Sequence, residues 1–337
     1  MMTTMKAWQC RPGPGPVEER LFLATQGIPK PTITDTQVLV ETYSAALNPI
    51  EHKILELGLA KKLMFRAPVT VGMDVCGRIA EVGKNVDSFR VGDVVFGACD
   101  GVFGGGSIAE FVAVSKDTIA LVPEGADAES MASIAVVGMT TYQALQPHVK
   151  KNCRVFINGG SGGTGVLSIQ IAKALGCYVT TSCSTANIEL CKSLGADEVL
   201  DYKSEDIIKQ LRSKGHAFDL ILDNIGTPAN LYRASPSFLE PNGKFLQVGL
   251  GMSLAAMRQL VGNLLIPGFL GGGKGKYIVV MAKGNTACFE QLARWVQEGK
   301  LRAVLDSTFE FDDVPKAFER LKTGRSRGKV VVRVKKL

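Results

Sequence analysis

Metal-binding spacing is the first thing missing from this chain of 337 residues. It has only three histidines, His52, His148 and His216, and its eight cysteines (Cys10, Cys76, Cys99, Cys153, Cys177, Cys183, Cys191 and Cys288) form no Cys-x-x-Cys pair. No zinc or iron–sulfur pattern follows from such spacing. Several of these cysteines fall in apolar runs, which predicts buried, reduced thiols in a reducing compartment. Aromatic residues are sparse, at 7%, and the net charge of +7 is not gathered into any long run of one sign. That excludes a nucleic-acid-binding arm and leaves phosphate-bearing ligands or acidic partners to account for the basic balance. The start of the chain lacks the apolar core of a signal peptide. The most apolar window, Leu254 to Leu270, is broken by Arg258, Asn263 and Pro267, so no membrane span is expected. Lys335-Lys336-Leu337 misses the Ser-Lys-Leu peroxisomal address by one residue. The expectation is a cytoplasmic protein.

What is present suits a globular enzyme of two domains: 46% hydrophobic and 21% charged residues in a chain long enough for a sizeable core. The most informative stretch runs from Arg154 to Val166. Val155-Phe156-Ile157 is short, apolar and β-prone, as a buried parallel strand should be. Glycines follow at once: Gly160, Gly162 and Gly165 fit G-x-G-x-x-G, and Gly159, Gly162 and Gly165 fit the looser G-x-x-G-x-x-G. Val166 to Leu175 then reads as a helix stopped by Gly176. A pyrophosphate needs backbone N–H groups and the positive end of a helix close by, and side chains would block that approach. The pattern between strand and helix therefore predicts a dinucleotide site that includes Ser161, Gly162, Gly163, Thr164, Gly165 and Val166.

The chain in order supports two domains. Up to about residue 123, short strands separated by Pro and Gly predict a compact, mostly antiparallel β-domain, with a helix from Ile50 to Leu59. From about residue 124, strands 154–158, 178–182, 198–202, 218–223 and 244–248 alternate with helices 163–175, 187–194, 205–213 and 228–239. That rhythm predicts a doubly wound parallel sheet. Lys276 to Ala282 reads as one more strand. From about residue 300 the tail returns to β character and completes the first domain. The expected division is thus 1–123 with 300–337, and 124–299.

Gly72-Met73-Asp74-Val75-Cys76-Gly77-Arg78-Ile79-Ala80-Glu81-Val82-Gly83, followed by Phe89-Arg90-Val91-Gly92-Asp93-Val94-Val95, resembles the medium-chain dehydrogenase/reductase superfamily. With Gly138 to Leu145 and the glycine loop, the order is similar to its quinone-oxidoreductase branch. Asn48-Pro49-Ile50-Glu51-His52-Lys53 and Ser193 to Tyr202 look like the chloroplast-envelope quinone oxidoreductase homologues and the fungal trans-acting enoyl reductases. The likeness covers nearly the whole chain. It implies a GroES-like β-barrel joined to a Rossmann domain, with the active site in the cleft between them. Zinc-dependent relatives carry a ligand cysteine in the turn where this chain has Leu47-Asn48-Pro49, and a histidine where it has Met73. They also have a four-cysteine lobe where Gly97 to Ser107 contains only Cys99. An apolar side chain and a thioether cannot replace thiolate and imidazole, so no metal is expected.

The end of the second strand reads Thr181-Ser182-Cys183-Ser184-Thr185-Ala186-Asn187, with no carboxylate before Glu189. A carboxylate would repel a 2′-phosphate, whereas hydroxyls, an amide and a helix start accept one, so NADPH is the expected cofactor. Ser184 and Asn187 are the contacts read from this stretch; a simple helix cap is the alternative for Ser184. The resemblance adds Tyr202, with Lys203 or Lys192 beside it. Asn224, Val248 and Gly249, at later strand ends, are expected to line the nicotinamide half. The expected reaction is hydride transfer to the β-carbon of an α,β-unsaturated carbonyl, or reduction of a quinone. Lys53, placed where related enoyl reductases carry a functional lysine, is the candidate for stabilising the enolate and delivering a proton. Asn48 would position substrate or nicotinamide, and Thr140 or Thr141 would bind the ring carboxamide. A solvated helix lysine, a turn residue before Pro49 and a helix cap account for the same three sites. Gly58 to Pro68 offers no match to the tyrosine donor of some mitochondrial-type enoyl reductases. Met252 to Phe269 reads equally as a cap over a hydrophobic substrate, as core, or as a dimer contact. Monomer and homodimer stay open. So do a trans-acting role with a polyketide synthase and a crystallin-like protein that binds NADPH without catalysis.

Overall fold

The computed structural model describes residues 4–57, 67–101, 104–249, 251, 254–265 and 276–335. The chain divides into two compact units, Met1–Met139 with Gly284–Leu337, and Thr140–Lys283.

The first unit is built on a seven-stranded sheet around Gln37–Ala46. That strand pairs antiparallel with Asp74–Val82 and Phe111–Ser115, and the late strand Lys329–Arg333 lies against its far end, Val331 opposite Ala46. Lys329–Arg333 in turn pairs parallel with Leu305–Glu310. Alternate side chains of these strands are sealed inside. Val38, Val40, Val75, Ile79, Val95, Val112 and Val114 form one cluster. Leu47, Val71, Ile108, Val314, Phe318, Val330 and Val332 form another. Full burial of such side chains is worth about 1.5–3 kcal/mol each. The expected helix after Asn48 runs from Pro49 to Leu55. Residues 58–66, where the tyrosine donor was sought, lie outside the described residues.

The second unit holds a six-stranded, all-parallel sheet. Its strands are β1 (Arg154–Asn158), β2 (Tyr178–Cys183), β3 (Glu198–Asp201), β4 (Phe218–Asp223), β5 (Leu239–Gln247) and β6 (Lys276–Val279). Their spatial order is β3-β2-β1-β4-β5-β6, so the direction of winding reverses between β1 and β4. Asn158 and Asp223 sit opposite each other at that point. Ligands bind at such a crevice, outside the carboxyl ends of the strands. Val155, Phe156 and Ile157 are fully buried, as their apolar run required. One side of the sheet is closed by Phe156, Phe218, Tyr232, Phe238 and Phe245.

One element differs from expectation. The helix expected over 228–239 is only the single turn Leu231–Ala234, followed by a 3-10 turn Ser235–Ser237. Pro236 lacks the N–H that an α-helix would use there. The chain passes directly into β5, which starts at Leu239. Of the apolar stretch Met252 to Phe269, the described part, Leu254–Leu265, is helical. Met257, Val261, Leu264 and Leu265 are exposed on it. No described helix is long and apolar enough to cross a membrane.

Candidate active site

Four glycines of the loop are there for three different reasons. Gly159 turns the chain at φ +83°, a conformation that side chains resist. A Cβ on Gly160 would lie 2.2 Å from Thr181 Oγ1, and one on Gly165 would lie 2.0 Å from the Gly159 carbonyl oxygen. Those two positions are glycine because the chain packs on itself. Gly162 is different: its φ is not positive, and a Cβ there would meet only Gly159 O at 3.8 Å. Nothing within the protein asks for glycine there, so the bare backbone faces space that a ligand can use. The loop is held from beneath. Ser182 Oγ accepts from Gly159 N at 3.0 Å and donates to Asn158 Oδ1 at 2.8 Å, and Asn158 Nδ2 donates to Asp223 Oδ1 at 2.9 Å. The buried Asp223 carboxyl is pushed up by desolvation and drawn back by the N–H groups of Gly226, Asn158 and Ile225.

Three of the expected cofactor residues come together. Asn187 Nδ2 reaches Ser161 Oγ at 3.0 Å and Ser184 Oγ at 3.2 Å, tying the glycine loop to the turn after β2. Asn187 Oδ1 is buried and without a partner. Because each serine hydroxyl can donate or accept, this amide can turn end for end and put its NH2 where the unpaired oxygen stands. Tyr202 follows β3, which pairs with β2, and its N–H bonds Cys183 O; the residue is 47% exposed. Lys203 Nζ stands 5.8 Å from the Tyr202 ring centre, whereas Lys192 is engaged by Glu189 at 3.1 Å. Asp201 was not singled out from the sequence. Its carboxylate accepts from Thr185 Oγ1 and Lys203 N, and the Thr185 hydroxyl leads in holding its pKa low.

At the other end, Val248 N and Gly249 N both bond Asp223 O. Gly249 packs so closely that a Cβ would lie 2.0 Å from Asn224 O. Asn224 Nδ2 donates to Ser168 Oγ at 3.2 Å, and Thr141 Oγ1 lies 3.2 Å from the same atom. Thr141 is fully buried and spends its hydroxyl inside the unit; Thr140 is half-buried beside it. Ser168 was missed. Its signal was the one hydroxyl in a largely apolar helix, four residues after Thr164.

In the first unit, Asn48 caps the helix Pro49–Leu55 that carries Lys53, but the two do not share an environment. Asn48 is 4% exposed and fully engaged. Its Nδ2 donates to Asp74 Oδ2 at 2.7 Å and Glu51 Oε1 at 3.2 Å, and its Oδ1 accepts from Lys329 Nζ at 2.6 Å. The residue therefore anchors a buried network, and no polar atom of its amide is left for substrate. Glu51 Oε2 also accepts from Gly72 N, and Asp74 Oδ1 from Val136 N. Burial, then the Asp74 charge, push the Glu51 carboxyl up to about 7, against the pull of Asn48 and Lys329. Lys53 is half-buried, and desolvation lowers its pKa. Leu47 is buried and apolar, and among the described residues no group of three or more His, Cys, Asp or Glu is placed to hold a metal ion.

Comparison with known proteins agrees with this architecture. The family model for an alcohol dehydrogenase GroES-like domain matches residues 34–124, and that for a zinc-binding dehydrogenase matches residues 194–332. A trans-enoyl reductase of Aspergillus terreus is 42% identical over 98% of this chain and 97% of its own. A mitochondrial NAD(P)H oxidoreductase of Homo sapiens is 33% identical over 92% of this chain and 85% of its own. The solved quinone oxidoreductase of Coxiella burnetii superposes with a TM-score of 0.85 at 28% identity, covering 99% of this chain and 100% of that one. The parallel sheet with its glycine loop, the GroES-like sheet and these relatives together establish that the chain is an oxidoreductase belonging to the medium-chain dehydrogenase/reductase superfamily, in the branch of quinone oxidoreductases and enoyl reductases.

Proposed function

We propose that the protein is an NADPH-dependent, zinc-independent reductase of α,β-unsaturated carbonyls. The observation that carries this reading is the joining of Ser161, Ser184 and Asn187 through one amide, beside a glycine loop whose Gly162 is bare toward open space. Two hydroxyls and an amide with no carboxylate among them suit a 2′-phosphate, each charge-assisted hydrogen bond being worth about 1.5–3 kcal/mol. Asp201 nearby has both carboxylate oxygens engaged, by Thr185 Oγ1 and by Lys203 N. A reduced nicotinamide dinucleotide bound there supplies hydride. Metal-free chemistry is supported by the donors present: Leu47 and Met73 stand at the positions of zinc ligands in relatives, and the Glu51 and Asp74 carboxylates are taken up by N–H groups and Lys329. Lys53 Nζ is then the group that meets negative charge on the carbonyl oxygen and returns a proton to the α-carbon. Its lowered pKa makes it a stronger acid near neutrality.

The test is steady-state reduction of enones, enals and quinones with NADPH and NADH, in wild type and Lys53→Met. Turnover of enones with NADPH, falling about 10²–10³-fold in kcat for Lys53→Met, is expected. Equal efficiency with both dinucleotides removes the 2′-phosphate assignment, and unchanged turnover in the variant removes Lys53.

A second reading is favoured by the 42% identity to a trans-enoyl reductase: the substrate is an acyl chain carried by a polyketide synthase. Turnover of carrier-bound enoyl chains far above that of free enones would select it. Tight NADPH binding with no turnover of any of these would select the crystallin-like alternative.

A further inference from the structure

We propose that His148, Lys244 and Lys276 form a docking site for an acidic protein surface, at the outer edge of the parallel sheet and short of the crevice that receives the dinucleotide. The inference rests on the carrier reading above and deepens it, by saying where the acidic face of a carrier is held.

Register places the two lysines together. Lys244 of β5 pairs with Lys276 of β6, the last strand on that side of the sheet. The next register pair, Phe245 and Tyr277, stacks its rings on one face with centres 5.6 Å apart. Side chains alternate along a strand, so both lysines project from the other face. His148 joins them from the turn after the helix Ala128–Leu145. Its Nδ1 lies 3.3 Å from Lys244 Nζ. An ammonium group can only donate, so that ring nitrogen accepts and carries no proton. Burial, then the charges of Lys244 and Lys276, lower the His148 pKa. Lys276 is exposed and the other two residues are half-buried, so the group is reachable from solvent.

Nothing near it offsets the charge. Among the described residues, neither lysine lies within ion-pair distance of a carboxylate. The sequence keeps acids away over a long stretch. Between Glu240 and Glu290 there is no Asp or Glu, although the chain has 32 of them, while Lys244, Arg258, Lys274, Lys276 and Lys283 all fall inside. Like charges set directly opposite each other on neighbouring strands repel, and the fold gains nothing from holding two of them beside a histidine. A partner that brings negative charge turns that repulsion into attraction. A second copy of this chain does not fit, because a two-fold contact here sets the same cations against each other. A surface of Asp and Glu does fit: its carboxylates accept from both ammonium groups, and from His148 once the ring takes a proton. Lys244 and Lys276 lie three residues before Gln247 and Val279, about 10 Å along the strands. The site is therefore near the carboxyl ends of the sheet without being part of them.

The experiment compares two substrates with NADPH: a crotonyl group on an isolated acyl carrier domain of net negative charge, and the same group on free pantetheine. Wild type is expected to show a KM about tenfold lower for the carrier-bound chain. Lys244→Gln/Lys276→Gln should raise that KM about five- to tenfold, the worth of two exposed ion pairs, with kcat and both constants for crotonyl-pantetheine unchanged. Lys244→Arg/Lys276→Arg should keep the wild-type KM. The glutamine variant loses a like-charge pair, so its Tm should not fall. Unloaded carrier should raise the pKa of the His148 ring, followed by NMR, in wild type and not in the glutamine variant, whereas inorganic phosphate at the same concentration should leave it in place. A carrier advantage that survives in the glutamine variant, a KM loss shared by crotonyl-pantetheine, or an equal His148 shift with phosphate alone overturns the inference while the carrier reading stands. No advantage of the carrier-bound chain in wild type brings down the carrier reading and this inference together.

Discussion

Lys329 Nζ lies 3.1 Å from Asp74 Oδ2, with the lysine side chain 4% exposed and the aspartate wholly enclosed. Such a pair repays the desolvation of its charges only when every remaining hydrogen-bonding site is filled, and here Leu47 O, Asn48 and Val136 N fill them. Replacing Lys329 by Met leaves Asp74 and Glu51 facing each other uncompensated. We expect a loss of about 3–5 kcal/mol in unfolding free energy. Adding Asp74→Asn should recover a large part of it, read by denaturant melts of the single and double variants. A single variant as stable as wild type would contradict the role given to the pair.

The Glu51 carboxyl, raised from 4.5 to about 7, gives the first unit a pH signature. Its folded pKa exceeds its unfolded one, so the fold holds the proton more tightly. The stabilising contribution is complete below pH 4.5 and is lost as pH rises through 7. Each pH unit is worth about 1.4 kcal/mol, so the span amounts to roughly 3 kcal/mol. Unfolding free energies measured from pH 5 to 8 should show this decline in wild type and lack it in Glu51→Gln.

The glycine loop predicts a contrast between two alanine substitutions. Gly165→Ala drives a Cβ onto the Gly159 carbonyl and should cost about 1–3 kcal/mol of stability. Gly162→Ala makes only an ordinary contact, 3.8 Å from Gly159 O, so its unfolding free energy should stay within about 0.5 kcal/mol of wild type. Its affinity for the dinucleotide should nonetheless fall about tenfold or more, because the backbone can no longer approach a pyrophosphate. Calorimetry and ligand titration on both variants separate these effects.

Cofactor choice is the target of Ser184→Asp. A carboxylate placed beside Asn187, in the position of the Ser184 hydroxyl, should lower the NADPH-to-NADH ratio of kcat/KM by about 10–100-fold, from repulsion of the 2′-phosphate and a new acceptor for ribose hydroxyls. An unchanged ratio would place the phosphate elsewhere.

The parallel sheet and glycine loop were legible because their signals are local. An apolar run, a glycine spacing and a polar strand end each sit within a dozen residues, and Ser161, Ser184 and Asn187 duly meet. The Asn48 amide was not legible, because its partners Asp74 and Lys329 are remote in sequence and only the sheet brings them together. Read alone, Lys329 is one more lysine near a basic tail, although its place before Val330-Val331-Val332 in an inward-facing strand is a weak sign of burial. Ser168 escaped notice for the same reason: a hydroxyl in a helix shows its use only when its acceptor is known. The short turn at Leu231–Ala234 differs from the helix expected over 228–239 because that expectation followed the alternation of strands and helices and passed over Pro236.

The strand Lys329–Arg333 sits beside Gln37–Ala46, with Lys329 and Leu47 in contact across 282 positions of chain. During ribosomal synthesis the middle strand of that sheet must wait for this neighbour, which lies 282 positions later. The segment Thr140–Lys283 has no such debt and can condense while the rest is still being made. Until the late lysine arrives, Asp74 and Glu51 remain like charges without a counterion, which argues against premature closure of the nascent barrel.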